Sequence, residues 1–336
     1  MSKIIFFCHD SRSNIESFEY YKQDIDALTQ LGHEVVICTK YREIPLLFDA
    51  MFIWWWTYAL WPVAISWLLN KPSIITGTFN FQFPENFPGR DYFRRPLWQR
   101  ALIRVATQMS TLNLFVNPGE LKNCSEFFSL NSARYYPHIV SDDYLQGPST
   151  NRKKVLFNLA WSGKENLIRK GIPELLEAIR ILRQEGCSVT LHLAGPEGDG
   201  KDYLVDTINA LDIGEEVHLL GQLTREDKLA HLRMCEIYVQ PSHYEGFGLA
   251  MAEAMGCGAC VITCDVGAVK SVVGDCGIYV QPGSPQELAD SIKRVLHDED
   301  LRLGLQNRAQ ERAIKHFTFS RKLASLQNYL SEVGIA

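Results

Sequence analysis

Apolar residues in this chain fall into two alternating patterns. Short runs such as Ile4 to Cys8 have the length of strands buried on both faces. Between them lie longer stretches whose apolar residues return every three or four positions, the period of a helix with one face in a core. That rhythm predicts parallel sheets with helices on both faces. The first half is expected to hold strand 4–8, a helix around 15–31, a Gly32-His33 turn and strand 35–39. Strand 50–54 running into a helix that ends at Leu69 and strands 73–76 and 113–116 continue it. Gln146-Gly147-Pro148-Ser149-Thr150-Asn151-Arg152 then gathers turn formers without a large apolar residue, and the domain boundary is expected there. The rhythm restarts with strand 155–159, helix 172–184, strands 189–194 and 217–219, helix 225–235 and strand 237–240. A helix, strands 260–263 and 277–280, and helix 285–296 follow.

One stretch strains this picture. Ala50 to Leu69 is twenty residues without a charge, long enough to span a bilayer. Its five tryptophans favour interfaces over the bilayer centre, Pro62 interrupts it, and polar alternation resumes after Asn70-Lys71-Pro72, so it reads as a buried strand and a helix. At 336 residues the chain is long for one core and comfortable for two facing units with a cleft between them. Its 34 basic and 39 acidic residues leave a net charge of -5, which argues against a general nucleic-acid binder. Nine cysteines set in apolar runs such as Phe6-Phe7-Cys8 point to buried reduced thiols and a cytoplasmic setting. The opening run, closed by His9-Asp10, is too short for a signal peptide.

The most informative window runs from Pro241 to Gly256. A strand ends at Gln240, a loop containing Gly246 follows, and small or apolar residues good for helix begin near Gly248. Backbone amides at such a helix start lack partners and carry about half a positive charge, so they suit a phosphate. The glycines let the anion approach the backbone. Glu245 and Glu253 bracket these amides. With a diphosphate at the helix start, Glu253 is placed to accept ribose hydroxyls and Glu245 those of a transferred group on the other side. The bland alternative is a glycine loop with two solvated glutamates.

The window and its surroundings resemble the retaining nucleotide-sugar glycosyltransferases of family 4, which share the two-Rossmann-domain GT-B architecture. Glu245 and Glu253 match the family's pair of glutamates with seven residues between them, among them Gly246-Phe247-Gly248-Leu249. Asp265-Val266-Gly267-Ala268, Gly277-Ile278-Tyr279-Val280 and Pro282 to Leu288 follow in the family's order, although Cys260 stands where proline is usual. Upstream, Arg169-Lys170-Gly171 resembles its basic pair, Leu193-Ala194-Gly195-Pro196 its second strand end, and Leu220-Gly221-Gln222-Leu223 the turn whose backbone reads the nucleobase. The likeness covers about Val155 to Phe319. It implies an α/β fold of the GT-B type, with an acceptor-side unit over 1–148 joined by a terminal helix over 318–336 and a nucleotide-sugar unit over 149–317. It also implies transfer of a sugar, with retention, from a nucleoside diphosphate sugar to a glycan or lipid-linked acceptor. Lys170, with either Arg169 or Lys164, would neutralise the leaving diphosphate, so neither a metal nor a cofactor is expected.

The first half matches the family only in outline. The first loop, His9-Asp10-Ser11-Arg12-Ser13-Asn14, lacks the family's glycines, and Thr76-Gly77-Thr78-Phe79-Asn80 lacks its usual histidine. His9, Asp10 and Asn80 end strands, where α/β sheets place ligands, but each serves equally as a turn or cap residue. Arg90, Arg94, Arg95, Arg100 and Arg104 alternate with Tyr92, Phe93 and Trp98. Such a face can rest peripherally on the inner side of an anionic membrane and meet a lipid-linked acceptor, or be a solvated helix with its aromatics turned inward. Cys257-Gly258-Ala259-Cys260 has the spacing of a redox or zinc pair but no second pair to complete it. A non-catalytic subunit that keeps the nucleotide fold is the main rival, and an oxidoreductase the weaker one for want of a Gly-x-Gly-x-x-Gly turn.

Overall fold

The structure, a computed structural model, describes residues 1–84, 91–130, 132–147, 152–160 and 163–335. They form two compact units, the first holding 1–84, 91–139 and 319–335 and the second the remainder. The chain passes between them at Ile139–Val140, ahead of the turn-rich stretch, whose residues 148–151 lie outside the described ones. Tyr144 explains the early passage. Its side chain is buried, and its carbonyl approaches Gly256 so closely that a Cβ there would lie 2.8 Å from it.

The first unit runs β1 (Lys3–Cys8), α1 (Arg12–Ser17), α2 (Glu19–Gln30), β2 (Glu34–Cys38), β3 (Ala50–Trp54), α3 (Leu60–Leu68), β4 (Ser73–Gly77), α4 (Leu97–Met109), β5 (Leu112–Phe115), α5 (Pro118–Phe128) and β6 (Ala133–Tyr135). The helix expected over 15–31 is two. Ser11 caps α1 by accepting from the Asn14 amide, and Phe18 then takes an extended backbone that ends the helix. All strand pairs are parallel, in the order β2-β1-β3-β4-β5-β6. The chain steps outward from β1 to β2 and returns to the other side of β1 as β3, so a topological switch opens at the ends of β1 and β3.

The uncharged stretch is resolved as expected, with β3 wholly buried and α3 following a short 3-10 turn. No helix among the described residues is long and apolar enough to cross a membrane.

The second unit runs β7 (Lys153–Leu159), α6 (Lys164–Arg169), α7 (Ile172–Gln184), β8 (Thr190–Ala194), α8 (Lys201–Ala210), β9 (Val217–Gly221), α9 (Arg225–Met234), β10 (Cys235–Gln240), α10 (Leu249–Gly256), β11 (Cys260–Cys264), α11 (Val269–Val273), β12 (Gly277–Val280), α12 (Pro285–His297) and α13 (Glu299–His316). Its parallel sheet has the order β12-β11-β10-β7-β8-β9, with its switch between β7 and β10. Asp298 caps α13 through the Leu301 amide, so the acidic Asp298-Glu299-Asp300 run is a helix start. A last helix, α14 (Phe319–Glu332), belongs to the first unit and buries Leu326 and Leu330 among Ile4, Phe6 and Leu28.

Candidate functional site

β10 is buried along its whole length and ends at the switch of the second sheet, where α/β folds place ligands. The loop after it carries Glu245. Its backbone is fixed from two sides. The Ala268 amide donates to the Glu245 carbonyl at 2.9 Å, and Gly267, at φ +55°, passes so close that a Cβ would collide with that carbonyl. On the other side Gly171, at φ +68°, leaves no room for a Cβ against the Pro241 carbonyl, while the His243 amide donates to the Arg169 carbonyl at 2.9 Å. Both glycines are thus demanded by close backbone approach. They bring the junction of α6 and α7 onto the Glu245 loop.

Three donors converge on one carboxylate oxygen of the buried Glu245. Lys170 Nζ lies 2.9 Å from Oε2, Gln240 Nε2 2.8 Å and Arg169 Nη1 3.5 Å. Arg169 is itself held by the Tyr244 carbonyl at 3.0 Å and by Asn166 Oδ1 at 2.6 Å. Burial works to raise the Glu245 pKa, but the Lys170 and Arg169 charges outweigh it and hold the carboxyl below the ordinary range. Burial lowers Lys170, aided by Arg169 and opposed by Glu245.

α10 starts just beyond, with Gly248 at φ +95° as its N-cap and no side-chain cap or acidic residue in its first turn. Phe247 is buried and meets the Phe317 ring edge-on at 5.8 Å, which anchors the loop, while Gly246 and Leu249 stay half-buried. Glu253 lies inside α10, buried, with Oε1 2.8 Å from Lys228 Nζ. Lys228, on α9, also sits 5.0 Å from the Tyr144 ring. Burial disfavours its ammonium, but Glu253 and Tyr144 outweigh that and raise its pKa. Lys228 escaped the sequence reading because a lysine one turn into a polar helix looks like any solvated one.

The remaining second-unit candidates are spread around this centre. Lys164 sits over the Tyr203 ring at 5.2 Å instead of on Glu245, so Arg169 is the cation paired with Lys170 there. Gly195 donates its amide to the Gly221 carbonyl at 2.9 Å, and Gln222, exposed, and Leu223, half-buried, follow that strand end. Cys257 and Cys260 are free buried thiols pushed up to about 12 by burial, unlike a reactive or ligating pair.

His9, Asp10 and Asn80 belong to the first unit. His9 stacks on Tyr58 at 4.3 Å. Asp10 accepts from Tyr21 Oη at 3.0 Å, and that hydroxyl accepts from Trp55 Nε1 at 2.7 Å. Asn80, at φ +58°, helps line a small pocket with Trp55, Trp56, Phe79, Tyr92 and Arg95. Its loop is tied by Glu120, a buried carboxylate that accepts from the amides of Phe79, Asn80 and Phe81 and that the sequence did not mark. Arg90 lies outside the described residues. Of its neighbours, Tyr92 turns inward, while Phe93 and Trp98 are exposed.

Residues 161–314 match the family described as glycosyl transferases group 1. Over 170 residues the chain is 32% identical to O-antigen chain mannosyltransferase B of Escherichia coli, covering 48% of this chain and 45% of that protein. The chain spans less than half the length of the first curated relatives it matches. Its fold is similar over 99% of both chains to a sucrose-phosphate synthase from Thermosynechococcus elongatus, with a TM-score of 0.79 at 16% identity. It is also similar to Anabaena HepE in complex with UDP and glucose, with a TM-score of 0.74 at 18% identity over 99% of this chain and 100% of that one. Residues 161–314, with the Glu245 loop at their centre, therefore belong to the glycosyl transferases group 1 family, in a chain whose two six-stranded parallel units have the GT-B architecture.

Proposed function

We propose that the chain is a metal-independent retaining glycosyltransferase that moves a sugar from a nucleoside diphosphate sugar to a glycan or lipid-linked acceptor. The observation that carries this reading is the cluster of buried Glu245 with half-buried Lys170 and Arg169 beside an uncapped helix start. One carboxylate against two cations leaves net positive charge where backbone amides already favour an anion. A diphosphate at the start of α10 would be neutralised by Lys170 and Arg169 as it departs, which is where fixed charge acts most strongly on a rate. Glu253 would accept from the ribose with the oxygen that Lys228 leaves, and the backbone around Gly195, Gln222 and Leu223 would face the nucleobase. Glu245, its Oε2 held by three donors, would accept hydroxyls of the transferred sugar. As the bond from the anomeric carbon to the phosphate oxygen breaks, the acceptor oxygen bonds that carbon from the same face and its proton passes to the leaving phosphate. No protein nucleophile is then required. The binding of UDP and glucose by the similar Anabaena protein supports a nucleotide-sugar donor. On the acceptor side, His9 and Asp10 follow β1 and Asn80 lies in the loop beyond β4, and the segment from Arg90 to Arg104 would rest on an anionic membrane at its cytoplasmic face.

A thermal-shift screen of uridine, guanosine and adenosine diphosphate sugars, followed by transfer and donor-hydrolysis assays with and without excess chelator, tests the reading. One nucleotide class should raise the melting temperature, and turnover should persist in chelator. A protein inert towards every donor would favour the non-catalytic subunit. Activity lost in chelator and restored by magnesium or manganese would remove the metal-independent mechanism.

A further inference from the structure

On the first unit, two neighbouring helices turn apolar faces to water. In α4 the buried side is formed by Ile103, Ala106 and Thr107, while Leu97, Trp98, Leu102 and Val105 follow one another on the opposite side. Leu97 is 78% exposed and Trp98 65%. α3 packs beside α4 and leaves Trp61 63%, Trp67 65% and Leu68 72% exposed, with Pro62, Val63 and Ser66 turned inward. Isolated surface leucines need no explanation, but three exposed indoles on one pair of helices do. Indole is apolar in body and polar at its N–H, and it settles at the depth of lipid headgroups.

The charge around these faces is one-sided. Lys71 is paired with Asp49 at 3.5 Å, but between residues 72 and 118 the sequence holds Arg90, Arg94, Arg95, Arg100 and Arg104 against Glu85 and Asp91 alone. Asp91 is buried and accepts from the amides of Phe83 and Arg94. The Arg100 guanidinium lies 5.2 Å from the Tyr92 ring and that of Arg104 5.9 Å from Phe127, so aromatic and cationic groups interleave. A second copy seated on this face by a two-fold axis would set cations against cations. An anionic lipid surface complements both the cations and the indoles.

We propose that the α3–α4 face inserts its tryptophans and leucines into the headgroup region of an anionic membrane. This rests on the reading above that the segment from Arg90 to Arg104 meets such a membrane, and it adds apolar insertion to attraction by charge. The test sediments the full chain with phosphatidylcholine vesicles, with and without phosphatidylglycerol, at low and high salt, and follows tryptophan quenching by brominated lipid. The parent should prefer anionic vesicles, retain residual binding in high salt and be quenched. The double variant Trp61→Ser with Trp98→Ser should keep its melting temperature, lose the residual binding and quenching, and bind anionic vesicles on the order of tenfold more weakly. Arg100→Gln with Arg104→Gln should weaken binding at low salt while leaving quenching of the bound fraction intact. If the tryptophan variant binds like the parent and only the arginine variant is impaired, charge-driven contact stands and insertion fails. Absence of any vesicle binding by the parent overturns both readings. A dimeric parent made monomeric by the tryptophan changes assigns the face to a second copy and overturns the proposal.

Discussion

Each unit buries a lysine against a carboxylate, and the two pairs differ in what stands around them. In the first unit Lys322 Nζ lies 2.8 Å from Asp24, both side chains 1% exposed, under the Tyr136 ring and beside a Trp54 indole that donates to Asp24 at 3.0 Å. In the second, Lys170 meets Glu245 at 2.9 Å with Arg169 and Gln240 alongside, and both side chains keep some contact with solvent. Asp24 has one cation, and burial wins: its carboxyl is raised and Lys322 lowered. Glu245 has two, and its carboxyl is held down. A sealed pair with a single cation ties α14 to α2. An open carboxylate with a surplus cation suits the further anion of the proposed function.

Breaking the sealed pair should have the largest effect. Asp24→Asn leaves the Lys322 charge buried and unmatched, so the first unit should lose about 3–5 kcal/mol of stability, most of which Lys322→Met in the same chain should recover. Trp54, Trp55, Trp56, Trp61, Trp67 and Trp98, six of the chain's seven tryptophans, lie in the first unit, so tryptophan fluorescence in a denaturant series, with Trp161→Phe as the background, is a direct measurement. Nucleotide binding should be unaffected, and an equal loss there would collapse the distinction between the pairs. Glu245→Gln should do the reverse. Its stability loss should be smaller, because a diphosphate can replace the missing charge, while turnover falls on the order of a hundredfold or more, about 2.7 kcal/mol, with nucleoside diphosphate affinity nearly kept. A fully active variant would show that the transferred sugar lies elsewhere.

The next effect down concerns Glu253, which shares the second unit with Glu245 but belongs to the nucleotide side in the proposed function. Glu253→Ala should weaken nucleoside diphosphate binding by about 1.5–3 kcal/mol in calorimetry, the range for hydrogen bonds to a charged group. It also leaves Lys228 over the Tyr144 ring without its carboxylate. Unchanged affinity would confine Glu253 to holding Lys228.

The contrast also explains what could be read from the chain. Helix 172–184 and strand 277–280 fall where the sequence puts them, the helix because it has one periodic apolar face and the strand because it is a short run between turn residues. The Glu245 loop was legible because close backbone approach at Gly171 and Gly267 forces glycine at set distances from the charged residues. Lys228 and Glu120 were not, because their partners come from elements 25 and 41 residues away and no local spacing marks them. α4 misleads for another reason. It is apolar on two faces, and periodicity alone does not say which of them meets the sheet.

The smallest expected effect is a pH dependence confined to the first unit. His138 is buried, stacked on Trp54 at 5.9 Å and 3.3 Å from the Gln23 amide nitrogen. Gln23 accepts the Ile139 amide with its carbonyl at 2.8 Å, so its NH₂ faces His138 Nδ1, which must be an unprotonated acceptor. Burial, with the Lys322 charge added, holds the His138 pKa well below the ordinary value. Below about pH 6.5 the unfolded chain therefore binds a proton that the folded unit refuses. The stabilisation is complete above the unfolded pKa and is lost as pH falls towards the folded one, with a slope of at most about 1.4 kcal/mol per pH unit. His138→Asn keeps an acceptor near Gln23 without the titration, so its fluorescence-monitored stability should fall less than the parent's between about pH 7 and 5. His33 in the same unit is also lowered by burial and remains in both proteins, so only the difference in slope belongs to His138. Parallel losses in parent and variant would assign the acid sensitivity to His33, because the carboxyl of Asp24, raised by burial, adds stability as pH falls.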